Sequence, residues 1–424
     1  MFDPELLHSN PEVLKRGCEA RGVQVDWPRL VLLDRQRREG RKKLEKLRSD
    51  HHRISERIAQ DVRTGGPPPV ARMESARRLA ARVKAERQRT RSIERTFREL
   101  ARSVPNPPVP GTPAGRTESG NVEVMRDGTW PAFPHPPLDH WALCRQLGLI
   151  EEPGGRPTPA TGFVTLSGMG ARLERALLNW LLDAHTRRFG YVEMAPPQFV
   201  RSRSLEGTGQ LPVQSEGMYR LTEGDLWLAP SAEPAAMACL ADQILASESL
   251  PLRRCLGTTA CRREAGGYGQ RDHGLLRLHQ FRQVELLHVC AAPQAEGEFD
   301  GLMRVAEALL RELGLPWRRM RRCAGRLSFA AAHCEDLEVW APAAGAWIKV
   351  GSCAGFGDFQ ARRLNIRHRD HFGAAPRHVH TINGSVLGLP RTLAVLLENR
   401  QRPDGSVVLP EVLQPYMGVA RIGG

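Results

Sequence analysis

"CRREAGGYGQRDHGLLRLHQFRQVELLHV", residues 261 to 289, opens like a strand, passes through a glycine-rich loop and ends in a second strand-like segment. Arg277, Phe281 and Glu285 recur at every fourth residue, and even spacing puts them on one face of a strand. A cation, an aromatic ring and a carboxylate on one face suit a phosphate, a base and an amine; a salt-bridged surface hairpin is the alternative. Further short apolar runs follow the same pattern: "DLWLAP" (225–230), "DLEVWAP" (336–342) and "AWIKVGS" (346–352). Between them lie amphipathic stretches such as "EGEFDGLMRVAEALLRELG" (296–314). Strands in series with interspersed helices indicate an α+β chain, an antiparallel β-sheet flanked by helices.

The N-terminal part differs. Leu30, Leu33, Leu44, Leu47, Ile54 and Ile58 keep a heptad rhythm that lapses at Arg37, Gly40 and His51. After "TGGPPP" (64–69) a second rhythm runs through Leu79, Val83, Ile93, Phe97, Leu100 and Val104, with lapses at Glu86 and Thr90. Two such helices joined by a Gly/Pro turn predict one antiparallel coiled-coil arm. "PNPPVPGTP" (105–113) reads as a stiff linker, so the expected domains are 1–113, the arm, and 114–424, the sheet domain. The outward positions carry "RQRREGRKK" (35–43) and "RVKAERQRTR" (82–91), and cations outnumber acids on both helices. A charge run is often only a solvated face, but a protruding cationic arm suits a phosphate backbone.

The net charge of the 424 residues is +14, which favours polyanionic partners, nucleic acid first. The nine cysteines form no CxxC pair and no zinc spacing, as expected of buried thiols in a reducing compartment. The N-terminus has no long apolar core of a signal peptide, and no run is long enough to span a membrane. These features set the expectation of a cytoplasmic protein without a membrane partner, an organellar matrix being the alternative.

Two further stretches carry candidate chemistry. "APSAEPAAMA" (229–238) places Ser231 and Glu233 two apart. "HVHTINGSVLGLPRTLAVLLENRQ" (378–401) runs from a strand into a helix with Arg391 near its positive end, an arrangement that suits an anion or a structural cap.

Collinear with these motifs, the chain resembles the seryl-tRNA synthetases, class II aminoacyl-tRNA synthetases, over nearly its whole length. "MFDPELLHSNPEVLKRG" and the arm resemble that family's tRNA-binding domain. "GARLERALLNWLLDAHTRRFGYVEMAPPQFV" (170–200) is similar to motif 1, "CRREAG" with "RLHQF" and "VE" to motif 2, and "NGSVLGLPRTLAVLLENRQ" to motif 3. "GTGQLP" (207–212) and "DFQARRLNIR" (358–367) also match. The resemblance implies ATP-dependent formation of seryl-adenylate, transfer of serine to the 3′ end of tRNA(Ser), and a homodimer built on motif 1. It implies that Arg262 holds the α-phosphate and the serine carboxylate, Glu264 and Phe281 the adenine, and Arg391 the γ-phosphate, with Arg277 and Ser352 also on ATP. It further implies that Glu233 takes the serine ammonium and that Glu285 and Ser385 meet its hydroxyl. Ser231 stands for the family's usual threonine, and Asn383 joins the serine site. The resemblance also implies that Ser352 is a ligand of the ATP-bound Mg²⁺.

The second Mg²⁺ ligand of the family is a glutamate, and this chain has Lys349 there, within "WIKVGSCAGFGDFQARR" (347–363). Lysine offers no oxygen to a hard cation and carries its own charge. In that segment Trp347, Lys349 and Gly351 alternate with Ile348, Val350 and Ser352, and the family pattern has serine at the Gly351 position. His333, Glu335, Arg263, Gln270, Arg271, His273 and Pro390 also depart from it, while Asp336 and Glu338 are kept. Three readings stand: an active ligase in which Lys349 neutralises phosphate charge, a paralogue kept as a tRNA- or protein-binding module, and an enzyme that activates an amino acid for a non-tRNA acceptor.

Overall fold

The computed structural model describes residues 1–152, 162–263 and 274–423. It divides into two compact units, Met1–Pro105 and Asn106–Gly424.

The first unit is dominated by two long helices, α1 (Trp27–Arg63) and α2 (Val70–Ala101), that pack along each other. Asp26 caps α1 by accepting a bond from the Arg29 amide at 3.1 Å, and Pro28 fits the first turn, where no amide donor is needed. The lapses in the two heptad rhythms answer one another across the pair. The Arg37 guanidinium lies over the Phe97 ring at 4.5 Å. Gly40 is buried against Thr90, where a Cβ would come within 2.7 Å of the threonine hydroxyl. Glu86 is paired with Lys43 at 2.7 Å, and Glu94 with Arg41 at 2.6 Å. Asp34, wholly buried, accepts from His8, Arg37 and Arg38.

The second unit is built on an eight-stranded sheet. Its strands are β1 (Val122–Asp127), β2 (Val192–Glu193), β3 (Leu252–Cys261), β4 (Gln280–Cys290), β5 (Trp317–Arg321), β6 (His333–Ala341), β7 (Ala346–Gly357) and β8 (His380–Gly388). The order across the sheet is β1-β5-β6-β7-β8-β4-β3-β2, and every pair is antiparallel except β2 with β3. Helices α3 (Gly168–Arg188), α4 (Ala295–Glu312) and α6 (Leu389–Arg400) share one apolar core with this sheet, including Leu177, Leu181, Leu302, Val284, Leu286 and Leu396. The short helix α5 (Phe359–Leu364) follows β7. The Pro-rich stretch after 105 hydrogen-bonds within the second unit: Asn106 donates to Phe329 and Val109 to Ala332, at 2.9 and 3.0 Å. Among the described residues no helix is long and apolar enough to cross a membrane.

Two strands carry a one-residue irregularity that matters for the site. On β7, Gly351 pairs with Leu337 and Lys349 with Glu338, so Val350 is an extra residue. On β8, Ser385 pairs with Glu285 and Leu387 with Val284, so Val386 is extra. The bulges lie side by side, and a Cβ at Gly351 would sit 2.3 Å from the Val386 carbonyl oxygen. Simple alternation groups Lys349 with Gly351. The bulge instead turns Lys349 to the face of Ser352, while Val350 and Cys353 enter the core. The expected grouping of Arg277 with Phe281 and Glu285 on one strand is also corrected. The strand begins at Gln280, and Arg277 follows a 3₁₀ turn at Gly274–Leu276.

The fit of Gly40 against Thr90 gives a direct test in the full-length protein. Alanine in a helix interior is better than glycine by about 1 kcal/mol, yet Gly40→Ala is expected to lower the arm's melting temperature. Adding Thr90→Ala should bring it back to wild type or above, with a coupling of at least about 0.5 kcal/mol in helical circular dichroism. Strictly additive effects would contradict the contact.

Candidate active site

On the face of β4, β7 and β8 opposite the main core lies a cavity of about 700 Å³. Its lining brings together two buried carboxylates, Glu233 and Glu285, and five cations, Arg262, Arg277, Arg322, Lys349 and Arg391, with Arg262 near enough to Glu285 to act on its charge.

Glu285 projects from the middle of β4 and is almost fully buried. It accepts from the backbone amides of Ala232 and Glu233, the latter at 3.2 Å, and from the Ser385 hydroxyl at 3.3 Å. That hydroxyl is shared with Gln283 Oε1 at 3.0 Å. Glu233 opens the short helix Glu233–Ala238, and its amide is closed onto Ser231 Oγ at 3.3 Å. Its carboxylate accepts from Gln360 Nε2 at 2.8 Å and Gln210 Nε2 at 3.3 Å. Thr381 in turn fixes Gln360 by donating to its Oε1 at 2.7 Å. Burial pushes Glu233 up to about 8, against the lowering bonds from Gln360 and Gln210, and the nearby Glu285 adds to the rise. Burial also raises Glu285, opposed by Arg262 and the two backbone donors.

Among the cations, Arg262 follows β3 directly. Its Nε donates to the Pro230 carbonyl at 3.0 Å and its guanidinium lies over the Phe281 ring at 5.2 Å. Arg391, in the first turn of α6, donates through Nε to the Leu276 carbonyl at 2.7 Å and through Nη1 to the Lys349 carbonyl at 3.2 Å. These bonds join the start of α6 to the approach to β4 and to β7. Asp336 is gripped by Arg322 through two bonds of 2.7 and 2.8 Å, and Lys349 Nζ stands 4.0 Å from it. Ser352 Oγ is 3.5 Å from Cys334 Sγ, and Asn383 Nδ2 donates to the Leu286 carbonyl at 3.4 Å.

Comparison with known proteins bears on the whole of this arrangement. Residues 1–108 match the seryl-tRNA synthetase N-terminal domain, and residues 219–400 match the tRNA synthetase class II core domain (G, H, P, S and T). A serine–tRNA ligase of Thermosynechococcus vestitus is 41% identical over 428 residues, covering 100% of this chain and 99% of its own. The chain belongs to the seryl-tRNA synthetase family. Another serine–tRNA ligase, from Thermomicrobium roseum, is 40% identical, with 99% of this chain and 94% of its own covered. The solved seryl-tRNA synthetase of Pyrococcus horikoshii complexed with ATP superposes with a TM-score of 0.88 at 28% identity, covering 100% and 99%. The cytoplasmic enzyme of Naegleria fowleri in complex with AMP gives 0.85 at 26%, covering 99% and 98%.

Within this family member, Arg262, Arg277, Phe281, Ser231, Glu233, Glu285, Ser352, Asn383, Ser385 and Arg391 all line the one cavity, and so does Lys349. Glu264, Gln270, Arg271 and His273 lie outside the described residues. Two departures from the family pattern, His333 and Glu335, do not line it. Glu335 is buried among Arg319, Arg321 and His333; burial raises its carboxyl, but those bonds outweigh it and hold the group at about 2. The His333 ring packs edge-on against Phe299.

The residues present do not fit the family's Mg²⁺. Glu233 is engaged by Gln360 and Gln210 and Glu285 by two backbone amides and Ser385, Asp336 is held by Arg322, and Glu338 is paired with Arg318 at 2.7 Å. That leaves the Ser352 hydroxyl beside a lysine ammonium. Among the described residues no group of three His, Cys, Asp or Glu side chains forms a metal site. Gln210, Gln360, Gln283 and Arg322 were not singled out by sequence. Gln210 and Gln360 lie inside the matching stretches "GTGQLP" and "DFQARR", the one signal that pointed near them.

A raised Glu233 has a definite thermodynamic sign. Because the folded protein holds this proton more tightly than the unfolded chain, the associated stability is full below about pH 4.5 and is lost as pH rises toward 8. Relative to Glu233→Gln, the wild type should lose melting temperature between about pH 5.5 and 7.5, since a tenfold difference in proton affinity is worth roughly 1.4 kcal/mol. Parallel curves for the two proteins would contradict the buried, proton-holding Glu233.

Proposed function

We propose that this chain is a working serine–tRNA ligase, with residues 106–424 forming the catalytic domain and residues 1–105 the tRNA-binding arm. The observation that carries the reading is the chemistry of the cavity's lining. Its two buried carboxylates suit an amine and a hydroxyl, and its guanidinium groups with an aromatic ring suit a nucleotide.

The roles follow from that lining. The serine ammonium meets Glu233, which gives up its proton when the cation arrives. The serine hydroxyl lies between Glu285 and Ser385, with Asn383 and Ser231 completing the pocket. An alanine there would leave these buried polar groups unpaired, which is how the site rejects it. Phe281 stacks on adenine, with Glu264 beside it, and Arg277 and Ser352 contact the triphosphate. Arg262 bridges the α-phosphate and the serine carboxylate, and Arg391 binds the γ-phosphate. The carboxylate oxygen attacks the α-phosphorus, the bond to the β-phosphate oxygen breaks, and pyrophosphate leaves. The terminal ribose hydroxyl of tRNA(Ser) then attacks the acyl carbon and AMP departs. No side chain acts as a nucleophile; positioning and charge stabilisation do the work.

The cationic outer faces of α1 and α2 favour the tRNA backbone. Exposed Val192, on the edge strand β2, and exposed Phe199 favour a homodimer through the 170–200 segment. Eight of the nine free cysteines are buried, in keeping with the cytoplasm as the compartment.

Serine-dependent exchange of pyrophosphate into ATP tests the ligase reading. Serine should support it and alanine, glycine and threonine should not, while Arg262→Ala and Arg391→Ala should each lower it by about 100-fold or more. No exchange above background at high enzyme concentration would favour the binding-module reading, and exchange without charging of tRNA would favour another acceptor. Replacing Arg87, Arg89 and Arg91 together by alanine should weaken charging far more than exchange; equal charging would contradict the role of the arm.

A further inference from the structure

Lys349 stands where the chain's relatives by motif hold a metal ligand, and its surroundings are built for an ammonium rather than against one. The Val350 bulge aims it into the cavity beside Ser352. The Lys349 carbonyl accepts from Arg391, so the backbone carrying the ammonium and the Arg391 guanidinium are fastened to one another. The side chain is 38% exposed, and Nζ stands 4.0 Å from Asp336 Oδ2. Asp336 is already satisfied by the two-bond grip of Arg322. Three cations, Lys349, Arg322 and Arg391, therefore converge on a region of the cavity beside the carboxylates of Asp336 and Glu338, each already paired with an arginine, Arg322 and Arg318. Burial and those two guanidinium groups pull the lysine below its ordinary pKa, and Asp336 opposes them. Such a cluster is short of negative charge and lacks the oxygen ligands that Mg²⁺ requires.

We propose that Lys349 serves in place of a protein-held divalent cation, its ammonium gripping the β- and γ-phosphate oxygens of ATP beside Arg391. The inference rests on reading the cavity as a seryl-adenylate site. As the serine carboxylate forms its bond to the α-phosphorus and the bond to the β-phosphate oxygen breaks, charge gathers on the departing pyrophosphate. Lys349 and Arg391 sit where that charge develops. A lysine binds phosphate as a point charge with three donors, which suits oxygens of variable position. The consequence is an enzyme that binds ATP without needing a metal ion held by the protein.

Calorimetry on the full-length protein separates the possibilities, using ATP in excess EDTA, ATP in excess MgCl₂, and seryl-sulfamoyl-adenosine, which lacks the β- and γ-phosphates. Wild type should bind ATP in EDTA within about threefold of its affinity in MgCl₂, and Lys349→Met should weaken ATP in EDTA by more than about tenfold. Lys349→Met should leave seryl-sulfamoyl-adenosine within about twofold, which also shows that the variant is folded. Lys349→Glu should bind ATP only when Mg²⁺ or Mn²⁺ is added. A wild type whose ATP affinity falls more than about tenfold in EDTA, or a Lys349→Met variant with unchanged ATP affinity, would overturn the proposal. Failure of wild type to bind seryl-sulfamoyl-adenosine would instead remove the seryl-adenylate reading, and the ATP arms would still decide the role of Lys349 on phosphate.

Discussion

Gly351 lets the backbones of β7 and β8 pass so closely that a Cβ would sit 2.3 Å from the Val386 carbonyl oxygen. The two bulges that meet there set the phase of both strands. Without them Lys349 would face the core with Cys353, and the Ser385 hydroxyl would lose its place opposite Glu285. A bulge re-aims side chains at the cost of a ladder hydrogen bond. Here it brings residues from three strands onto one wall, while the aliphatic residues Val350, Val386 and Leu387 fill the other side.

The buried carboxylates and the cations that line the cavity together are an electrostatic constraint on everything placed in it. Two carboxylates buried close together are costly when ionised, and each is held by donors from neighbouring elements: Gln360 and Gln210 for Glu233, backbone amides and Ser385 for Glu285. In the proposed reading an incoming serine ammonium relieves that cost, and the hydroxyl partner then distinguishes serine from alanine. The guanidinium groups are fastened through backbone carbonyls, Pro230 for Arg262 and Leu276 and Lys349 for Arg391. Their orientation is set before any ligand arrives, so little reorganisation is needed when phosphate charge develops.

Much of this was legible in the sequence because it follows local periodicity. The helices of the arm, the strand carrying Phe281 and Glu285, and Arg391 at a helix start follow from spacing and motif. The lapses at Arg37, Gly40, Glu86 and Thr90 were not interpretable one helix at a time, since each is completed by a residue on the other helix. Extending the two-residue period back to Arg277 failed because the strand begins only at Gln280, and Arg277 lies before it, just after the 3₁₀ turn at Gly274–Leu276. The phase of Lys349 depends on one extra residue that leaves no compositional mark. His333 and Glu335 stood out as departures near the site, yet Glu335 is part of a buried ion-pair network and His333 packs on Phe299.

The central claim is that one cavity orients serine by its carboxylates and ATP by its cations, with Lys349 on the phosphates. The most direct measurement is a crystal structure of the protein with ATP and the unreactive serine analogue serinamide, grown without divalent metal. The account predicts the ammonium on Glu233, the hydroxyl between Glu285 and Ser385, adenine against Phe281, and Lys349 Nζ within hydrogen-bonding distance of the β- or γ-phosphate. A triphosphate lying elsewhere, or Lys349 turned away from it toward Asp336 and solvent, would contradict the account.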